Sequence, residues 1–329
     1  PAGVLRDSRY SSSRVGSFMD ASKLPLVAVV GLTASGKSGF SLQLAAALGE
    51  RGVACEIISA DAFQLYRGMD IGTAKVSREE RGGIPHHLLD VLTLEEKASV
   101  AAYQRSCRQV IEQIRTRKAL PMLVGGSGLY VRAALDKIEF PGTDSGIRAW
   151  LEAQAAQLGA EKMYQRLFEV DPESAVRIVP ANERRVIRAL EVYELTGKKF
   201  SATMPRREYF QPAVQLGIKW PLAVLDERIS QRTSQMLTQG FIEEVAELEK
   251  QGLADTPTAC RATGYQAVMD LLAGKITREE AAEQIALQTR QLARKQRKWF
   301  RKDPRIHWLD GEAGASANLD QALTLLEIK

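Results

Sequence analysis

The chain has 329 residues, 45% hydrophobic and 26% charged, which is too apolar for a disordered protein and long enough for one large or two modest domains. Lys and Arg number 45 against 40 Asp and Glu, and the formal charge of +5 permits a polyanionic partner without demanding one. Three cysteines (Cys55, Cys107, Cys260) and three histidines (His86, His87, His307) exclude a disulfide framework and a CxxC or His-based metal centre, and they fit a reducing cytoplasm.

Residues 1–23 are rich in Ser, Gly and Arg without sustained periodicity, which predicts a flexible extension. The nearly continuous apolar run at 24–30 reads as a strand covered on both faces and is too short to span a membrane. A glycine-rich turn follows, and Phe40, Leu44, Ala47 and Leu48 then recur at helical spacing. A second strand candidate at 56–60 leads into Asp61, and a third at 120–124 leads into Gly125, Gly126, Ser127 and Gly128. Strand, crossover helix and strand in repetition predict a parallel α/β sheet flanked by helices. Between 140 and 199 the sequence turns charged, alanine-rich and helical, with Pro141-Gly142 and Gly197 as punctuation, so a helical domain inserted in the core is expected. A strand candidate at 214–220 returns to that core, which comprises 24–139 and 200–329, and helices are expected for the remainder. There Thr277 and Glu280 make a capping box, and Ala281, Ile285, Leu292 and Trp299 mark one apolar face of a long helix.

Gly31, Leu32, Thr33, Ala34, Ser35, Gly36, Lys37 and Ser38 match GxxxxGK[ST] in full, between a buried strand and a helix. Glycines let backbone N–H groups turn inward around phosphate oxygens, assisted by the dipole at the helix N-terminus. Lys37 brings positive charge to the terminal phosphate, and the Ser38 hydroxyl is placed to ligate Mg²⁺. The motif therefore predicts a P-loop NTPase-like core that binds a di- or triphosphate, and it is silent on which one. Asp61 follows a strand end, the crevice where α/β proteins place ligands. A carboxylate there can hold Mg²⁺, act as a general base or cap the next helix, and spacing leaves all three open. Ser127 is expected to point into the same crevice. His86 and His87, being adjacent, point in different directions and are expected to serve local structure. Tyr66, Tyr130 and Tyr265 either stack on bases or pack with their hydroxyls satisfied.

The stretches DAFQLYRGMDIGTAK (61–75), PHHLLDV (85–91), VGGSGLYVRA (124–133) and RATGYQ (261–266), together with the phosphate loop, closely resemble the bacterial tRNA dimethylallyltransferases. The resemblance runs in order from about 24 to 309, and the stretch ending at Lys75 is far more specific than the phosphate loop. It implies a phosphate loop redirected from ATP to dimethylallyl diphosphate, with Mg²⁺ as the cofactor. The N6 amine of adenosine 37, beside the tRNA anticodon, attacks C1 of the allyl group and diphosphate leaves. By resemblance Asp61 is the base and Ser127 contacts the reactive region of the tRNA. An arginine from 226–232 meets the leaving diphosphate, with Arg232 favoured over Arg228. Position 127 is usually threonine in the family, and Ser127 keeps the hydroxyl. Position 62 is commonly serine, and Ala62 removes one hydrogen bond beside Asp61.

The family also uses stretches aligned with Asp61, Ala62, Phe63 and Gln64, with Arg184, Arg185 and Arg188, and with Arg261, Ala262, Thr263, Gly264, Tyr265 and Gln266 against tRNA. Independently of the resemblance, Arg184, Arg185 and Arg188 form a basic stripe at helical spacing. Residues 288–305 carry eight Lys or Arg and one acid, Asp303, with Trp299 and Phe300 interleaved. That local excess is larger than the charge of the whole chain and suits RNA, although a charge run is otherwise a solvated helix face. A monomeric cytoplasmic enzyme with no membrane partner is expected. The phosphate loop alone would fit a small-molecule kinase using ATP, or a vestigial loop in a non-catalytic RNA-binding regulator.

Overall fold

The computed structural model describes residues 20–203 and 207–328. Most of the expected N-terminal extension, 1–19, lies outside the described residues; Ala21–Lys23 forms a 3₁₀ turn with Ala21 buried. The elements run β1 (Leu26–Val30), α1 (Lys37–Glu50), β2 (Cys55–Ser59), β3 (His86–His87), α2 (Val100–Thr116), β4 (Leu120–Gly125), α3 (Gly128–Leu135), α4 (Ser145–Leu158), α5 (Ala160–Val170), α6 (Pro172–Arg177) and α7 (Glu183–Thr196). They continue with β5 (Ala213–Lys219), α8 (Leu222–Thr238), α9 (Phe241–Lys250), α10 (Tyr265–Leu272), α11 (Arg278–Phe300), β6 (Ile306–Asp310) and α12 (Ala315–Leu325).

The six strands form one wholly parallel sheet in the order β3-β2-β4-β1-β5-β6. Every residue of β1, β2 and β4 is buried, including Glu56 and Ser59 of β2, as in strands covered on both faces. Val27 and Val29 pack with Phe40, Leu44 and Leu48 of α1 and with Leu323 of α12 to form the main core. The expected helical filling of the C-terminus needs one correction, because Ile306–Asp310 is an edge strand. Its alternation of buried and exposed positions, with polar His307 and Asp310, hides it from a search for continuous apolar runs. His86 and His87 form the opposite edge strand, where His87 Nε2 meets Glu56 Oε2 at 2.6 Å and His86 Nδ1 meets the Ile84 carbonyl at 2.8 Å.

Strand register sets the site. Val30 of β1 lies opposite Gly125 of β4, and Val124 of β4 lies opposite Ser59 of β2. The three strands thus end level, and the chain leaves them side by side at 31, 60 and 126.

The chain divides into two compact units. One contains the sheet and comprises 1–98, 105–131 and 213–329; the other comprises 99–104 and 132–212. The second unit is wider in sequence than the 140–199 segment singled out above. Its core is built from α4 to α7, with Leu151, Met163, Leu167, Val186 and Leu190 buried together. Asp144, Asp171 and Asn182 cap three of these helices through their side chains.

Candidate active site

The phosphate loop holds the conformation that its motif requires. Gly31 and Gly36 have φ of +136° and +87°, and Ala34 sits at +60°, a left-handed position that disfavours a residue with a Cβ. Left-handed residues inside such a turn direct successive N–H groups to one side, which makes an anion cradle. Leu32 and Ala34 anchor the loop beneath by packing on Leu225 and Ile229 of α8 and on Ala286 and Ala293 of α11.

Lys37 is partly buried, and its ammonium donates to the Leu32 carbonyl at 3.1 Å. Desolvation, reinforced by the Arg232 guanidinium and opposed by Asp61, lowers its pKa to about 8. Burial likewise pulls Arg232 below its ordinary value, against the pull of Asp61. Lys37, Arg232 and Asp61 therefore share one electrostatic neighbourhood. Arg232 Nη1 also lies 3.4 Å from Thr33 Oγ1. Arg228, one turn earlier on α8, serves the loop's shape: its Nε donates to the Ala34 carbonyl at 2.8 Å, and its guanidinium lies 4.6 Å from the Trp220 ring centroid.

Asp61 Oδ1 accepts the Phe63 N–H at 2.9 Å, so one carboxylate oxygen serves a local turn while the residue still faces the cavity. Ser127 Oγ accepts the Ala62 N–H at 3.2 Å and thereby ties the β4 turn to the loop after β2. Gly125 is needed for this approach, because a Cβ there would lie 2.2 Å from the Ala60 carbonyl oxygen. Gln64 faces inward: its Oε1 accepts from Ser59 Oγ at 2.8 Å and its Nε2 donates to the Thr73 carbonyl at 3.1 Å. Phe63 packs at the edge of the core beneath the 61–75 loop.

A cavity of about 1570 Å³ opens over these residues, lined among others by Lys37, Ser38, Asp61, Gln64, Arg232 and Thr263. It exceeds the ~300–1,000 Å³ of ordinary small-ligand pockets. Among the described residues no three His, Cys, Asp or Glu side chains cluster as a metal site. The donor set at the loop is the Ser38 hydroxyl with the Asp61 carboxylate nearby. That fits Mg²⁺, which binds through few protein groups and takes substrate phosphates and water for the rest.

Lys75, the last residue of the specific stretch, is structural. Its nearly buried side chain places Nζ 2.9 Å from the Tyr66 carbonyl, 2.6 Å from Asp70 Oδ1 and 2.5 Å from Asp90 Oδ1, one acceptor for each N–H. Glu244 of α9, which no sequence signal separates from Glu243, accepts three consecutive backbone N–H groups, from Asp70, Ile71 and Gly72, at 2.9, 2.5 and 3.1 Å. Its Oε1 also takes the Tyr265 hydroxyl at 2.7 Å. Gln296 of α11 is the other residue that sequence reading passed over, and it reaches the phosphate loop at Thr33.

Several of the expected RNA contacts need correction. Tyr265 is fully buried edge-to-face against Phe241, with its pKa raised by burial and by Glu244, so it cannot stack on a base. Ala262 and Gly264 are buried as well, which leaves Arg261, Thr263 and Gln266 to meet solvent from that stretch. Tyr66 is buried and bonded to Thr258, and Tyr130 is buried with its pKa raised to about 12 by desolvation and by the nearby Tyr66 and Asp61. In the second unit Arg184 and Arg185 are exposed, whereas Arg188 is spent on structure. Arg188 donates to the carbonyls of Gly142 and Pro141 at 3.1 and 2.7 Å and to Glu191 at 2.7 Å.

The IPP transferase family model matches residues 64–303. A tRNA dimethylallyltransferase of Kineococcus radiotolerans is 50% identical over 311 residues, 94% of this chain and 98% of that protein. One from Thermobifida fusca is 52% identical over 288 residues, 88% of this chain and 90% of its own. Among solved structures, the tRNA isopentenylpyrophosphate transferase of Bacillus halodurans superposes with a TM-score of 0.66 at 37% identity, covering 93% of this chain and 97% of that one. A eukaryotic dimethylallyltransferase acting on tRNA gives 0.76 at 25% identity, over 92% and 80%.

Proposed function

The chain belongs to the IPP transferase family, and from that premise we propose that it transfers a dimethylallyl group from dimethylallyl diphosphate to N6 of adenosine 37 in the tRNA anticodon loop. The observation that carries this reading is the level ending of β1, β2 and β4, which sets a phosphate cradle, Asp61 and Ser127 side by side with Lys37 and Arg232 in the same field.

The diphosphate binds in the cradle of loop N–H groups, with Lys37 and Arg232 against the oxygens that gain charge as the C1–O bond breaks. Burial lowers Lys37 to about 8, and an anion lying against it favours its charged form. The adenine N6 attacks C1, and Asp61 takes the proton that the amine loses. Ser127, joined to the Ala62 N–H, keeps the β4 turn and the Asp61 loop in register while the base is held out of its stack. Ser38 would hold Mg²⁺, which supplies charge neutralisation to the diphosphate when bound. RNA phosphates are met by the exposed Lys295, Lys298, Arg301 and Lys302 and, in the second unit, by Arg184 and Arg185. Among the described residues no helix is long and apolar enough to cross a membrane, and the reading assigns the enzyme to the cytoplasm, where tRNA substrates reside.

The test is incubation with Mg²⁺, labelled dimethylallyl diphosphate and unmodified tRNA carrying A36-A37-A38. Label is expected in the RNA without ATP. Hydrolysis or transfer from ATP with unlabelled RNA would overturn the reading in favour of a kinase.

A further inference from the structure

Gln296 lies on α11, 263 residues from the phosphate loop and 170 from the turn after β4, yet its side chain bonds to both. Oε1 accepts the Thr33 N–H at 2.8 Å, and Nε2 donates to the Gly126 carbonyl at 3.0 Å. The two partners fix the amide's orientation, since a backbone N–H only donates and a carbonyl only accepts. No other side chain of this length offers one acceptor and one donor in a plane without a charge.

The glycines of the β4 turn make room for this contact. A Cβ at Gly126 would lie 2.6 Å from Gln296 Nε2 and 2.9 Å from the Gly31 carbonyl oxygen. A Cβ at Gly128 would lie 2.3 Å from the indole of Trp299, three residues along the same face of α11. Gly126 and Gly128 thus face the helix that sits on the turn, whereas Gly125 faces Ala60. Ala293, on the same face, packs under Leu32 and Ala34, so α11 touches the phosphate loop through both its apolar and its polar residues. Lys298, on the opposite side of the helix, is exposed, and so is Lys295.

We propose that Gln296 is a positioning residue: through Thr33 and Gly126 it fixes the phosphate cradle against the turn that carries Ser127, so the spacing between diphosphate and acceptor base is set from α11. The proposal deepens the transferase reading and rests on it for the acceptor side; its effect on anion binding stands apart from it. A misplacement of about 1 Å in a reacting pair costs on the order of 100-fold in rate, so small shifts of the cradle matter.

Gln296→Met keeps the length and volume of the side chain and removes both hydrogen bonds. Gln296→Glu keeps the acceptor for Thr33, removes the donor for Gly126 and serves as the second variant. Inorganic pyrophosphate with Mg²⁺, titrated by calorimetry, reads the cradle without the reaction, and filter binding reads tRNA. Both variants are expected to bind pyrophosphate about tenfold or more weakly, with kcat for transfer reduced further and tRNA affinity within about twofold of wild type. A merely structural role would lower pyrophosphate and tRNA binding together, and that parallel loss would overturn the proposal. Pyrophosphate affinity within about twofold of wild type in both variants would also overturn it. If the wild-type protein binds pyrophosphate but transfers no dimethylallyl group, the transferase reading fails while the pyrophosphate comparison still decides the role of Gln296.

Discussion

Two loops border the cavity, 31–36 and 61–75, and they are ordered in opposite ways. The phosphate loop takes most of its shape from its own backbone: glycines at positive φ, a left-handed Ala34 and a helix starting at Lys37, with Gln296 and Arg228 fastening it at Thr33 and Ala34. The 61–75 loop has no such motif geometry. Distant or inward-turned side chains hold it, with Glu244 gripping three of its N–H groups, Lys75 satisfied by three acceptors and Gln64 bridging Ser59 to Thr73. A loop that must cradle phosphate with its own N–H groups can spare few of them to hold itself, and Thr33 gives its N–H to Gln296, so most of its order comes from conformational restriction and from packing beneath. A loop that offers a side chain such as Asp61 can spend its backbone on structure.

The largest effect should come from the two residues that carry charge into the cavity. Lys37→Met and Asp61→Asn should each lower the transfer rate by roughly 100-fold or more while tRNA affinity in a filter-binding assay stays unchanged. Near-wild-type turnover of Asp61→Asn would remove Asp61 as the base and leave it as the turn-former that its bond to Phe63 already makes it. Glu244→Ala tests the second loop. Three N–H groups and a buried tyrosine hydroxyl lose their acceptor, so thermal unfolding should show a loss of about 1–3 kcal/mol, with faster proteolysis within 61–75. If stability is unaffected, the contrast between the two loops collapses.

A pH titration sharpens the first half of the contrast. An anion that binds the charged form of Lys37 loses affinity as the free site deprotonates. With that pKa at about 8, pyrophosphate binding should weaken about tenfold between pH 7 and pH 9. A lysine at its ordinary value would give almost no change over this range. The sign for stability is the reverse. Between about 8 and 10.5 the folded protein binds fewer protons at Lys37 than the unfolded chain does, so the empty enzyme should become more stable as pH rises through that window.

What the sequence disclosed follows the same division. Glycine spacing, a buried apolar run and the helix after it specify the phosphate loop locally, and β1, β2, β4 and β5 appear within a residue or two of their expected bounds for the same reason. Glu244 and Gln296 reach these loops across 170 to 263 residues of chain, and nothing in an amphipathic helix pattern separates them from neighbours that face water. Edge strand β6 escaped because one of its faces is wet. Tyr265 was left open between stacking and packing, and only the position of Phe241 and Glu244 decides it.

The smallest effect separates the two basic stretches. In both, cations recur at helical spacing, and in both the structure consumes some of them. Arg188 joins Arg148 on the fully buried Glu191, and although burial would raise that carboxyl's pKa, the two guanidiniums hold it below its ordinary value. Arg294 grips Asp226 with two bonds of 2.5 Å. A cation with a protein carboxylate in its fork has little to give a phosphate, so the outward residues should carry the salt dependence. Lys298→Ala should reduce the slope of log tRNA affinity against log salt by about 1 with no change in melting temperature. Arg188→Ala should lower the melting temperature and leave the slope as it was. Should Arg188→Ala flatten the slope instead, the guanidinium must exchange Glu191 for an RNA phosphate on binding, and the pairing seen here would be its resting contact rather than its working one.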